Sequence, residues 1–358
     1  MKNMYKLLLV LFLVPLCIYA GDKKGKITKT KTINKEFAVN MDATMSVVNK
    51  YGNIDIVTWA ENRIVMDIII TTNGDDKEKV EERLEDIDVV FDANSSNVSA
   101  KTIIKKIAKS WSLWGNKNSV NLEINYKIKL PVTNNVDLSM DYGGISLDKL
   151  EGRSKINCDY GRLNIGELRN TDNDINIDYT GNSNIEFMKD GSINADYSTV
   201  HIEKTGVVQL NADYSEISFG SLIDLEYNCD YGSLKIKDGG NLKGTSDYMN
   251  ASIEKLSGAS EINLSYGALK INGLDQDFKS LKIESNYTHN TIGVNSSNSF
   301  NVQADLNYCE FKYVDGFTFS KEITNSSKKE YEGYFNNANS SKNITIISKY
   351  GSAIFKNN

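Results

Sequence analysis

The chain has 358 residues, a formal net charge of −6 at pH 7, 40% hydrophobic residues and two prolines. So acidic a chain lacks the basic face that nucleic acid requires. Only three cysteines follow residue 20, an odd and sparse set that excludes a disulfide-stapled scaffold. Abundant Asn, Ser, Gly and Tyr suit many short strands joined by tight turns, where Asn and Gly accept positive φ.

The first residues predict an export signal over 1–20. Lys2 and Lys6 form a charged start, Leu7 to Ile18 is apolar, and Ile18-Tyr19-Ala20 offers a small residue at the cut. The apolar run is too short for a membrane span, and no later stretch approaches ~20 apolar residues. Cys17 follows Val14-Pro15-Leu16 and lacks the small residue that lipoprotein signals place before the cysteine, so lipid anchoring is not expected. Removal of the signal takes away two lysines and no acid, leaving a net charge of −8.

Residues 21–131 read as a small β-rich domain with one helix. Tyr51-Gly52 with Ile54 and Ile56 copies a motif that recurs later, and Leu122, Ile124, Tyr126, Ile128 and Leu130 alternate strictly up to Pro131. Between Asp75 and Ile87, Val80, Leu84 and Ile87 share one helical face. Ile103, Ile107, Trp111 and Trp114 also have helical spacing, interleaved with Lys101, Lys105, Lys106 and Lys109, as in a membrane-lying surface segment. The competing reading is a strand over Val98–Ile104 followed by a loop whose tryptophans tuck onto the sheet. Trp111 and Trp114 are candidate surface-contact residues.

Internal repetition dominates residues 132–358. Asp-Tyr recurs at Asp141-Tyr142, Asp159-Tyr160, Asp178-Tyr179, Asp196-Tyr197, Asp213-Tyr214, Asp230-Tyr231 and Asp247-Tyr248, then in weaker form at Tyr266, Tyr287, Tyr308 and Tyr350. Successive tyrosines lie 18, 19, 18, 17, 17, 17, 18, 21, 21 and 42 residues apart, the last being two periods of 21. Apolar or small residues sit two and four positions before most of them (Ile156 and Cys158, Ile193 and Ala195), and three and five after (Leu163 and Ile165, Val200 and Ile202). This alternation predicts two short strands per repeat, the tyrosine on the inward face and a bend at the following Gly or Ser. A unit this small cannot bury its own apolar face, so copies must stack about 4.8 Å apart in parallel. The expected fold is all-β: a parallel β-helix or β-solenoid of ~18-residue repeats, continuous from about residue 132 to 358, with a ladder of half-buried tyrosines.

Asp159, Asp178, Asp196, Asp213 and Asp230 would form a row near 5 Å apart. Each either caps its own bend or shares a cation such as Ca²⁺ with its neighbours. Cys158 and Cys229 occupy the same inward slot four repeats apart, roughly 19 Å, which rules out a disulfide between them.

Lys50-Tyr-Gly-Asn-Ile-Asp-Ile-Val-Thr-Trp59, the acidic helix near Val80, the strand ending Ile128-Lys129-Leu130-Pro131-Val132 and the serial Tyr-Gly or Tyr-Ser repeats together resemble the putative-adhesin family of bacterial cell-envelope proteins. The resemblance implies a β-solenoid in the periplasm or at the surface and brings no catalytic residues with it. His201 and His289 stand at unrelated repeat positions, and no nucleophile elbow, phosphate loop or Cys/His cluster occurs, so no enzyme is expected. Arg153, Arg162 and Arg169, useful against acidic sugars, are the only arginines of the repeats. The expected function is an exported surface-binding module for a glycan or protein. A passive envelope component is the alternative, and a carbohydrate-active β-helix enzyme a more distant one.

Overall fold

The computed structural model describes residues 25–105 and 120–358; the expected signal segment, Trp111 and Trp114 lie outside the described residues. Within them the protein is all-β with one helix. The first elements are β1 (Ile27–Ala38), β2 (Thr44–Trp59), β3 (Arg63–Gly74), α1 (Lys77–Glu85), β4 (Ile87–Ala93), β5 (Asn97–Ile104), β6 (Asn121–Pro131) and β7 (Asn135–Leu150).

β1, β3 and β6 pair antiparallel, and β6 then runs parallel to the second half of β2. The expected alternation of β6 buries Ile124, Tyr126, Ile128 and Leu130. Asp76 caps α1 by accepting from the Glu78 and Lys79 amides, leaving Val80 buried against the sheet. Ile87 opens β4 instead of extending the helix, because its backbone pairs antiparallel with Ile104. β5 confirms a strand where the basic segment begins, so Ile103 is in a strand and not on a helix.

β2 also lies parallel to β7, with Ile54 opposite Ile145, so the lone early copy of the motif stacks directly on the first repeat. From there the registers follow the tyrosine spacing. Val136 pairs with Ser154, Ser154 with Asn173, Asp174 with Ser192, Ser183 with Val200, and Val200 with Ile217, all in parallel. Numbering each repeat from its tyrosine as position 0, the residues at −4, −2, +3 and +5 form one core between Tyr142 and Tyr287, except after Tyr179, where Asn182 at φ +51° is an extra residue and Ser183 and Ile185 take the inward places. Ile156, Cys158, Leu163, Ile165, Ile193, Ala195, Val200 and Ile202 are all buried.

The tyrosine itself is the bend, which corrects the expectation of a bend at the following Gly or Ser. Among the described residues fourteen non-glycine residues have positive φ, and twelve are the repeat tyrosines, at +49° to +61°. A left-handed residue reverses strand parity at that point, so the ring projects outward while position +1 turns inward. The rings are 41–61% exposed instead of sitting on the inward face. They stack face to face from Tyr51 through Tyr142, Tyr160, Tyr179, Tyr197, Tyr214, Tyr231, Tyr248, Tyr266 and Tyr287 to Tyr350 and Tyr308, with centroids 4.8–5.4 Å apart.

The corner interrupts the backbone ladder, and hydroxyls at +1 repair it. Ser198 Oγ donates to the Ile177 carbonyl of the preceding repeat and accepts from the Thr180 amide, and Ser215 Oγ does the same for Ala195 and Ser198. Where +1 is glycine there is no room for a side chain: a Cβ on Gly143 would lie 1.7 Å from the Gly52 carbonyl oxygen.

The expectation of an unbroken parallel stack to residue 358 is corrected after Phe300. Strand Phe300–Asn307 pairs antiparallel with Lys328–Phe335, which pairs antiparallel with Phe317–Thr324. Asn325 sets this hairpin turn by accepting from the Ser327 and Lys328 amides. Strand Asn343–Lys349 then inserts between two repeats already formed, pairing with Ser280–Asn286 on one side and Asn301–Asn307 on the other. The spatial order of the rings is therefore Tyr287, Tyr350, Tyr308. The 42-residue interval is two periods in sequence but a single step in space.

Three substitutions test this geometry. Tyr214→Ala keeps the left-handed strain and loses two ring contacts of about 0.5–1.5 kcal/mol each, so chemical denaturation should show a loss of about 1–3 kcal/mol. Tyr214→Gly removes the strain as well and should be less damaging than Ala by about 1 kcal/mol, a ranking opposite to that of an ordinary strand site. Ser198→Ala should destabilise by about 1–3 kcal/mol, because it strands a buried carbonyl and a buried amide; an unchanged unfolding midpoint would show that the hydroxyl bridge is dispensable.

Candidate functional site

Two solvent-facing surfaces flank the tyrosine ridge. On the side before the ridge, positions −3 and −1 point outward because −4 and −2 point in. Five consecutive repeats read Asn-x-Asp-Tyr there: Asn157 to Tyr160, Asn176 to Tyr179, Asn194 to Tyr197, Asn211 to Tyr214 and Asn228 to Tyr231. Parallel register aligns them into three columns with one residue of each per repeat.

Four of the five asparagines are bonded to one another. Asn176 donates to Asn157, Asn194 to Asn176 and Asn211 to Asn194, at 2.7–3.2 Å. The Asn-x-Asp spacing was visible in the sequence, but only the register shows that the amides join.

The aspartate column brings together all five carboxylates expected to form a row. Asp141 extends it and is held by Lys50 at 2.6 Å. Asp196 and Asp230 each accept the amide of the next repeat's aspartate, from Asp213 and Asp247. Asp178 has its carboxyl pushed above the ordinary range, by partial burial first and then by the charge of Asp196. Asp159 is pushed the same way by burial, Asp178 and Asp141, against the pull of Lys50. Among the described residues no group of three or more His, Cys, Asp or Glu side chains is arranged to hold a metal ion.

The ring faces in the tyrosine column are covered by their neighbours, so only ring edges and hydroxyls meet solvent. An aromatic platform for sugar faces is thereby closed along the ridge.

Across the ridge, positions +2 and +4 form a cleft of about 510 Å³. Register places Gly144 between Asn53 and Arg162, and Ser146 between Asp55 and Asn164. The Asn53 amide oxygen accepts from the Gly144 amide, which fixes one wall. Arg153 pairs with Asp172 and Arg169 with Glu167, whereas Arg162 has no carboxylate partner among the described residues.

His201 forms a chain that resembles a hydrolytic triad, with Nδ1 2.9 Å from Ser218 Oγ and Nε2 3.0 Å from Glu203. Ser218 is the cross-strand partner of His201 and Glu203 lies two residues along the same strand, so register alone accounts for the contact. The histidine and glutamate side chains are 42% and 64% exposed, open to the water that an enclosed site would exclude. Cys158 and Cys229 are free, buried thiols, pushed up by burial to about 11 and about 12, well away from a reactive thiolate. No helix among the described residues is long and apolar enough to cross a membrane.

The chain is similar to solved structures of bacterial adhesin-type proteins. A putative cell adhesion protein of Clostridium sporogenes is 12% identical, with 92% of this chain and 100% of that chain covered and a TM-score of 0.18. A putative adhesin of Parabacteroides distasonis is 9% identical, over 74% and 93%, with a TM-score of 0.29. A putative lipid binding protein from the same organism is 11% identical, over 91% and 96%, also at 0.29. The first two names match the family that the sequence resembles; the third does not. No protein-family model and no curated protein matches the chain.

The aspartate column has a pH signature. A carboxyl whose folded-state value is raised binds its proton more tightly folded than unfolded, so it detracts from stability at neutral pH and ceases to do so in acid. Asp178→Asn should therefore raise the melting temperature at pH 7 by about 1–2 °C, and the gain should vanish as pH falls below the unfolded value of 3.8. A variant that melts lower than the parent at pH 7 would show that the carboxylate is favourably bound.

Proposed function

We propose that this protein is an exported, non-catalytic binding module of the cell envelope, in which the stacked repeats wind as a parallel β-solenoid and present a fixed polar surface to an extended partner. The observation that carries this reading is the regular outer face. Five Asn-x-Asp-Tyr repeats stand in register, their ring centroids 4.8–4.9 Å apart between Tyr160 and Tyr231. A surface that repeats at a constant step is suited to a ligand that also repeats, such as a polysaccharide, because each repeat can add a similar weak contact.

The chemistry on display supports binding over turnover. Catalysis requires one group made unlike its neighbours and shielded from water. Here the carboxylates recur as near equivalents, and the one Ser-His-Glu chain lies open on a strand face. The leading apolar segment and its basic flank support export.

Protease treatment of intact cells, followed by detection of the protein, tests the location: digestion without cell lysis is expected. Purified protein on an array of envelope polysaccharides tests the activity, and retention on at least one polymer at micromolar protein is expected. Protection from protease together with an empty array would favour a passive envelope component.

A further inference from the structure

The cleft across the ridge breaks the repeat pattern in a way the core does not require. We infer that it is a recognition site for an acidic sugar, the uronate unit of a polysaccharide, with Arg162 as the anchor for the sugar carboxylate. The inference rests on the glycan-binding reading above and specifies its ligand class.

The shape comes from one repeat that lacks bulk. Asn53 and Asp55 form one wall and Arg162 and Asn164 the other, with Gly144 and Ser146 between them. The two walls stand two repeats apart, about 9.6 Å between backbones. Their side chains close over the Gly144 floor, where an added Cβ would lie 2.9 Å from Asn53 Oδ1 and 3.5 Å from Arg162 Cγ. A sugar is therefore met at the mouth of the cleft, on the exposed Arg162 and Asn164 side chains, and not down at the glycine. Asn182, at φ +51°, lines the cleft from the next repeat.

The unused bonding capacity names the ligand. Among the described residues the side chains of Asp55, Ser146, Arg162 and Asn164 make no hydrogen bond or ion pair, while four asparagines of the column across the ridge are bonded to one another. A guanidinium presents a planar fork that matches a carboxylate, and of the three arginines of the repeats Arg162 alone leaves its fork unpaired among the described residues. On the opposite wall a carboxylate, with an amide and a hydroxyl nearby, can accept from and donate to vicinal hydroxyls. The apolar residues of the lining, Ile145 and Leu163, are each 1% exposed, so the cleft offers no surface to a lipid tail or an apolar peptide. One anion-pairing group beside several hydroxyl-pairing groups is the complement of a uronate.

Calorimetric titration of the full chain with an oligogalacturonide six units long, with its methyl ester and with cellohexaose tests the assignment. The acidic oligomer should bind at least tenfold more tightly than the other two. Arg162→Ala should weaken it at least tenfold, Arg162→Lys should recover part of the loss, and Arg153→Ala should leave binding unchanged. Arg162 is exposed and unpaired, so its variants should melt with the parent, and this separates lost binding from lost fold. Equal binding of the acidic oligomer by parent and Arg162→Ala would overturn the site. Equal affinity for the acid and its ester would overturn the ligand class. If the acidic oligomer is not bound while other polysaccharides on the array are, this inference fails alone; an array and titrations that are both blank remove the glycan-binding reading with it.

Discussion

The structure depends on a left-handed tyrosine at each corner. Left-handed backbone is unfavourable for a bulky residue by roughly 1–2 kcal/mol, and glycine would adopt it freely. Twelve tyrosines take it nonetheless, and the reason lies in the spacing of strands. Parallel strands repeat about 4.8 Å apart, so rings held identically in successive repeats meet at 4.8–5.4 Å and cover each other's faces. Contacts on both faces of each ring between Tyr51 and Tyr308, and on one face of those two end rings, offset the strain at each corner. The same corner flips strand parity, which turns position +1 inward and makes the serine and threonine hydroxyls there the repair for the broken ladder.

A stack of this kind exposes unpaired strand edges at its ends unless something covers them. At one end β1, β3 and β6 replace the parallel pattern with antiparallel pairing, with α1 packed beside them. At the other, the hairpin Phe317–Thr324 with Lys328–Phe335 does the same, over a cluster of Phe300, Phe317, Phe335 and Phe355. Strand Asn343–Lys349 enters one repeat inside that cover. The outermost repeat is thus joined to the rest of the stack through a segment that follows it in the chain.

The interior is closely filled and leaves the surface for binding. The inward positions hold mostly aliphatic residues and buried thiols, with the hydroxyls of Ser198 and Ser215 bonded to backbone and those of Thr205, Ser246 and Ser260 buried without a partner. Outward, four asparagines of their column are bonded to one another, Asp141 is paired with Lys50, and Asp196 and Asp230 accept backbone amides. The cleft over Gly144 and Ser146 keeps unbonded polar side chains on both walls, Asp55 on one and Arg162 and Asn164 on the other.

The sequence by itself determined the repeat, its period, the residues of its core and the parallel register, because a two-residue alternation and a fixed interval leave few ways to bury one face. It also located the helix near Val80 and the strand ending at Pro131. It did not reveal that the tyrosines face outward: a period-two pattern assumes constant parity, and a single left-handed residue reverses parity without any change of composition. Nor did it show that Tyr350 sits between Tyr287 and Tyr308, since a spacing of two periods is the same number whichever way the intervening chain travels. The candidate cleft was half legible. Arg162 stood out as one of three arginines in the repeats, but its isolation from carboxylates, and its place opposite Asn53 and Asp55 across the Gly144 row, arise from strands 91 and 18 residues apart being set side by side. Tertiary structure decided these features because each depends on which residues become neighbours across strands, and that is fixed by packing rather than by local pattern.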